Sequence, residues 1–144
     1  MRKHQSGWPS RSTVEEVWRA VAAGARSRED AHDWTVPWVE GDAAHEPSDD
    51  LMVPSGLQHI HGLDMAYRPD TPHLIHHGPP GIYMRTLDMI RADLEAWLDD
   101  CRDYDEDPVR YLHVRHERAR AALRAEREKR RQRREEGAGD DDPR

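Results

Sequence analysis

Phenylalanine is absent from this 144-residue chain and cysteine occurs once. A lone thiol closes no internal disulfide, which agrees with a reducing, cytoplasmic setting. Cys101 falls on the apolar stripe of a helical stretch, with acids nearby that would raise a thiol pKa, so it reads as core filler and not as a nucleophile. Long apolar runs are missing, which argues against a membrane span. The basic residues Arg2 and Lys3 are followed by no apolar stretch, so no signal peptide is expected. Apolar residues are also scarce, at 35%, and charged residues equal them at 35%. Typical globular chains run to roughly half apolar and about a quarter charged. Such a chain can order only part of its length. A core of about 90 to 100 residues is expected.

Helical punctuation is clear in places. Ser12-Thr13-Val14-Glu15 matches a capping box, with Val14, Val17, Trp18 and Val21 at helical spacing and Gly24 as a stop. Ser27 caps a second helix that carries Ala31, Trp34 and Trp38 on one face and is expected to end or kink near Val36, before Pro37. Trp18, Trp34, Trp38 and Trp97 are all expected in the core. Trp8 has no such explanation and is left to dock on the domain or on a partner. A third helix starts near Ser48-Asp49-Asp50, is kinked or broken by Pro54 and Gly56, and ends at Gly62. From Leu63 to Tyr83 the chain holds four prolines and two glycines and reads as a long loop. Residues 73–77 fit a short extended piece, without alternation. A fourth helix runs from Thr86 to about Tyr104, with Leu87, Ile90, Leu94 and Trp97 as its apolar stripe. Asp107-Pro108 restarts the chain into a last helix, whose first turns are expected to pack on the core before it enters solvent.

The predicted fold is therefore all-α: a compact four-helix bundle with a long Pro/Gly-rich loop and a protruding charged C-terminal helix. The expected divisions are a disordered start (1–11), a helical domain (12–112), a charged helical extension (113–136) and a disordered tail (137–144).

Candidate chemistry is thin. His59, His61, His73, His76 and His77 crowd one region. Zinc takes His, Cys or carboxylate ligands at sharp spacings, and no His-Glu-x-x-His is present. On a helix end the His59 and His61 rings point about 200° apart. His113 and His116 stand at i and i+3 without a third ligand. A polar loop and a helix end are the simpler reading, so no metal and no cofactor is assigned. His32-Asp33, and His59 with Asp64, are pairs that acid–base chemistry could use, but nothing aims them at a substrate. The Gly78-Pro79-Pro80-Gly81 loop has no Lys, Ser or Thr in phosphate-binding order, and its prolines lack the donors such a loop needs. No catalytic residue is assigned, and the chain is read as a non-enzyme.

What the chain does have is charge in blocks. Residues 51–108 carry 4 Lys and Arg against 11 acids, and residues 109–136 carry 11 against 5, within an overall charge of −7. Opposite blocks speak of partners. The leading expectation is a protein-interaction module that covers a basic partner with an acidic face: Asp93, Asp99, Asp100, Asp103, Asp105, Glu106 and Asp107. The alternative is nucleic-acid contact through Arg115, Arg118, Arg120, Arg124, Arg127, Lys129, Arg130, Arg131, Arg133 and Arg134. Interleaved glutamates and the lack of aromatics after Tyr111 weigh against that alternative.

Three segments, residues 17–24 (Val-Trp-Arg-Ala-Val-Ala-Ala-Gly), 27–40 and 56–65, resemble small acidic hypothetical proteins of actinobacteria. Some of these look like immunity proteins of bacterial toxin systems. The resemblance covers roughly residues 14–111 and implies an immunity-type neutraliser. It carries over no functional residue. Pro37, Pro54 with Gly56, and the Arg-rich extension depart from it.

Overall fold

Ser10, not Ser12, starts the first helix. Its hydroxyl accepts from Thr13 N at 3.2 Å, so α1 spans Arg11–Ala22 and buries Val14, Val17, Trp18 and Val21. The computed structural model describes residues 7–138. The expectations of disorder at residues 1–6 and 139–144 lie outside the described residues. The described chain divides after Cys101 into two compact units.

In the first unit, α2 spans Arg28–Val39, capped by Ser27, and continues through Pro37 instead of ending at Val36. It buries Ala31 and Thr35. Trp34 and Trp38 are only half-buried, with ring centroids 5.4 Å apart, which corrects their expected place in the core. A short 3-10 turn, Asp42–His45, leads on to α3 (Met52–His61). Pro54 lies in the first turn of α3, where a helix needs no donor, so it breaks nothing. Gly56 is buried where α3 meets α1 and α4: a Cβ there would lie 2.8 Å from Trp97 Cζ2 and 2.8 Å from Val14 Cγ1.

The predicted all-α bundle is wrong. The stretch read as a long loop is a three-stranded antiparallel sheet, and the fold is α+β. Strands β1 (Met65–Arg68), β2 (Thr71–His77) and β3 (Ile82–Tyr83) stand in the order β2-β1-β3. Period-2 alternation was the missing signal. Leu74 and Ile75 of β2 are exposed, and the central strand buries Ala66 alone. Pro72 is tolerated because β2 is an edge strand. At Gly81 (φ 140°) a Cβ would come 2.6 Å from Tyr67 O, so glycine is required where the chain returns to pair with β1.

The fourth helix, α4 (Leu87–Glu106), presents Ile90, Leu94, Trp97 and Cys101 to the core. Two buried indoles join these layers. Trp18 Nε1 donates to Ile90 O at 3.0 Å, and Trp97 Nε1 donates to Met52 O at 3.1 Å. In the second unit, Asp107 accepts from Arg110 N at 3.0 Å and starts α5 (Pro108–Ala138). No residue of α5 is buried.

Replacing Gly56 with Ala forces Trp97 or Val14 to move and is expected to destabilise the protein by about 1–3 kcal/mol. Denaturant melts measure it, and an unchanged midpoint would show that the close approach is not required.

Candidate functional site

A buried carboxylate anchors the site. Asp64, at the turn from α3 into β1, is 2% exposed. A charge so placed needs partners, and histidines supply them. His77 Nδ1 donates to Asp64 Oδ1 at 2.6 Å, and His32 Nδ1 lies 3.5 Å from the same oxygen. The sheet brings His77 there, because β1 pairs with β2 in a register that sets Met65 opposite His77, while Gly78 N donates to Asp64 O. Helix α2 brings His32, whose Nδ1 also donates to His61 O at 2.9 Å. His61 comes from the last turn of α3, and its Nε2 is 3.1 Å from Glu40 Oε2.

Three imidazoles thus converge. Ring centroids are 4.2 Å apart for His32–His61, 4.3 Å for His32–His77 and 5.0 Å for His61–His77. One ligand nitrogen from each lies within 4.8 Å of the others. A tetrahedral zinc with Zn–N bonds near 2.0–2.1 Å needs nitrogens about 3.3 Å apart, a separation inside that 4.8 Å limit. Each ring also holds an oxygen partner on one nitrogen: a backbone carbonyl for His32, Asp64 for His77 and Glu40 for His61. Partners of this kind fix tautomer and orientation and leave the second nitrogen for a metal. His32 and His61 are shielded, with side chains 13% and 16% exposed, and His77 opens to solvent at 42%.

The rim is charged. Glu40 is exposed, and the hydrogen bond from His61 holds its carboxyl below the usual carboxylate range, with attraction from all three imidazoles adding to the effect. Tyr83 of β3 donates to Glu29 of α2, and that bond raises the phenol pKa above its ordinary value. Arg28 donates to Leu63 O and Arg85 O and lies 4.1 Å over the Tyr83 ring; partial burial lowers its pKa.

Of the histidines singled out in the sequence, His61 and His77 enter this cluster. His59 instead stands 5.4 Å from the Trp18 ring, His73 is exposed on β2, and His76 leaves Nε2 buried without a hydrogen-bond partner. His113 and His116 are exposed on α5. His32 was missed as a member of the cluster. Its distance in sequence from the other two hid it, and a fold without the sheet could not bring His77 to it. The Asp64 carboxylate joins His77 and His32.

The acidic residues are less uniform than a single face. Asp93 is half-buried and paired with Arg85, and Asp107 serves as the cap of α5. Asp99, Asp103, Asp105 and Glu106 are exposed on α4, and Asp100 is half-buried there. On α5, Arg130 pairs with Glu126, Arg120 reaches Glu117 at 4.0 Å, and Arg131 bridges Glu128 and Glu135. Arg115 contacts Tyr111, and Arg118, Arg124, Arg127, Lys129, Arg133 and Arg134 are exposed.

No family model matches the chain, and no curated protein or solved structure matches it. No helix among the described residues is long and apolar enough to cross a membrane.

Replacing Asp64 with Ala strips His77 of its acceptor and opens a polar hole. A stability loss of about 1–3 kcal/mol is expected, read as a lower denaturation midpoint. An unchanged midpoint would mean that the carboxylate does not tie α2 to the sheet.

Proposed function

We propose that the protein binds a divalent transition metal through His32, His61 and His77. The observation that carries this reading is the convergence of three imidazoles, each held by an oxygen at one ring nitrogen. Neutral imidazole suits zinc and its neighbours in the transition series. Three protein ligands with an exposed His77 leave a coordination position facing solvent, the pattern of sites that act on a ligand, whereas structural zinc sites are closed by four. Bound there, zinc would supply Lewis acidity. The residues around it hold and orient: Asp64 fixes the His77 ring, the His61 carbonyl fixes His32, and Glu40 keeps a negative charge at the rim.

The purified protein is expected to take up about one zinc per chain, measured by metal analysis after dialysis. His32→Ala or His61→Ala should abolish stoichiometric binding. Asp64→Asn should weaken it about 10- to 100-fold. His59→Ala and His73→Ala serve as controls that leave it intact. Full zinc occupancy in a His32→Ala/His61→Ala double variant would rule the site out.

A second proposal concerns partners. Asp103, Asp105 and Glu106 stand exposed at the end of α4, and this favours capture of a basic protein surface. Changing Asp103 and Asp105 to Asn and Glu106 to Gln together should slow association with a basic partner at low salt. An unchanged association rate would end this reading. Nucleic-acid contact through α5 is the weaker candidate, because Arg120, Arg130 and Arg131 are drawn to glutamates of their own helix.

A further inference from the structure

Helix α5 leaves an apolar stripe uncovered. Val109, Leu112, His116, Ala119 and Leu123 recur at alternating spacings of three and four, the pattern of a coiled-coil seam. Val109 is 78% exposed, Leu112 43% and Leu123 59%. Ion pairs cannot support this half of the helix from within, because residues 108–116 contain no acid. Among the described residues, the ion pairs of α5 lie between Glu117 and Glu135. A helix that buries nothing gains little stability by itself, so such a stripe calls for a second surface.

Charge decides which surface. The second unit begins at Arg102, near the end of α4, and the helix runs on almost unbroken into α5. Asp107 N donates to Asp103 O at 3.1 Å, Tyr111 N donates to Asp107 O at 3.0 Å, and the Tyr104 and Tyr111 rings stand 5.8 Å apart. The stripe therefore has acids before it, Asp103, Asp105 and Glu106, and bases after it, Arg127, Lys129, Arg130 and Arg134. Two copies laid parallel would set Arg115 against Arg120 and Lys129 against Arg134 across the seam, and like charges there repel. Turned antiparallel, the stripes meet in the middle, and each copy lays its bases along the acids of the other.

The spacing also sets the register. Carried back one heptad, the seam position of Leu112 falls on Asp105, and the position flanking it is Glu106. Carried forward from Ala119, it falls on Glu126, and the flanking position is Arg127. An antiparallel pair that sets Leu112 against Leu123 of the second copy sets Ala119 against its His116 and Glu106 opposite its Arg127. Glu106 and Arg127 are both exposed. Two-fold symmetry makes each of these contacts twice.

We propose that α5 and the end of α4 pair antiparallel with the same segment of a second copy of this chain. The inference rests on the reading of the acidic end of α4 as a surface for a basic partner, and it names that partner as α5 of another copy.

Sedimentation equilibrium of the full-length protein between about 1 µM and about 1 mM is the test. A dimer is expected, with an affinity that falls as salt is raised from about 50 mM to about 500 mM. Leu112→Glu should abolish the dimer, with circular dichroism confirming that helix content is kept. Glu106→Arg and Arg127→Glu should each weaken it about tenfold, or about 1.4 kcal/mol, since symmetry breaks two pairs at once. The double variant restores both pairs with the signs exchanged and should return to within about threefold of the wild type. A double variant as weak as either single one would overturn the antiparallel register. A wild-type chain that stays monomeric to about 1 mM would overturn self-association alone, leaving the acidic end of α4 to a different basic protein. A dimer unchanged when Asp103→Asn, Asp105→Asn and Glu106→Gln are combined would sink the acidic-surface reading, and this inference with it.

Discussion

The constraint that organises the functional end of this molecule is a carboxylate placed where water does not reach. Asp64 is 2% exposed, and an ionised group in that position is tolerable only when hydrogen-bonded. Its position at the start of β1 means that its partners must come from elsewhere in the chain. His77 comes from the far end of β2 and His32 from α2. Satisfying one buried charge therefore fixes the sheet against α2 and sets two imidazoles side by side. His61 completes the set, because the carbonyl that receives the His32 N–H is its own. The residues that satisfy the buried charge are thus the residues that bring the three imidazoles together.

The helical scaffold makes this possible by holding α1, α3 and α4 in close packing. Trp18 and Trp97 supply the bulk that phenylalanine would otherwise provide, with ring centroids 5.7 Å apart. Each satisfies its indole N–H on a backbone carbonyl of a neighbouring helix, so the core is large and still leaves no indole donor unmet. Gly56 admits α3 to that surface. With α3 seated there, its last turn delivers His61 and its C-terminal turn delivers Asp64.

The charge blocks belong to a different level of organisation. Part of the acidic block is structural: Asp93 is tied to Arg85 and Asp107 starts α5. The basic block lies on a helix that buries nothing, and several of its arginines are neutralised locally by glutamates three or four residues away. Net charge by region overstates what is available to a partner, since a charge within a helical turn of its opposite projects a weaker field than a sum over residues suggests.

Helix starts and stops were legible from the sequence because they depend on neighbours. Ser27 as a cap, Gly62 as an end and Asp107-Pro108 as a restart are local hydrogen-bonding and steric statements. The same is true of the apolar stripe of α4. The exceptions were also local in appearance: Ser12 offered a capping box but lies inside the first turn that Ser10 caps, and Pro37 and Pro54 sit where the helices accommodate them. The sheet was not legible. Its strands are short, its edge strand exposes Leu74 and Ile75, and its pairing depends on residues brought together from separate turns. The cluster of three imidazoles was legible only in pieces. The sequence by itself determined the helix starts and stops, two core tryptophans in Trp18 and Trp97, a divided charge and a crowd of histidines. Tertiary structure alone decided that His32 joins His61 and His77 while His59, His73 and His76 do not, because the choice is made by strand register and by the demand of the buried Asp64, and neither is a property of sequence spacing.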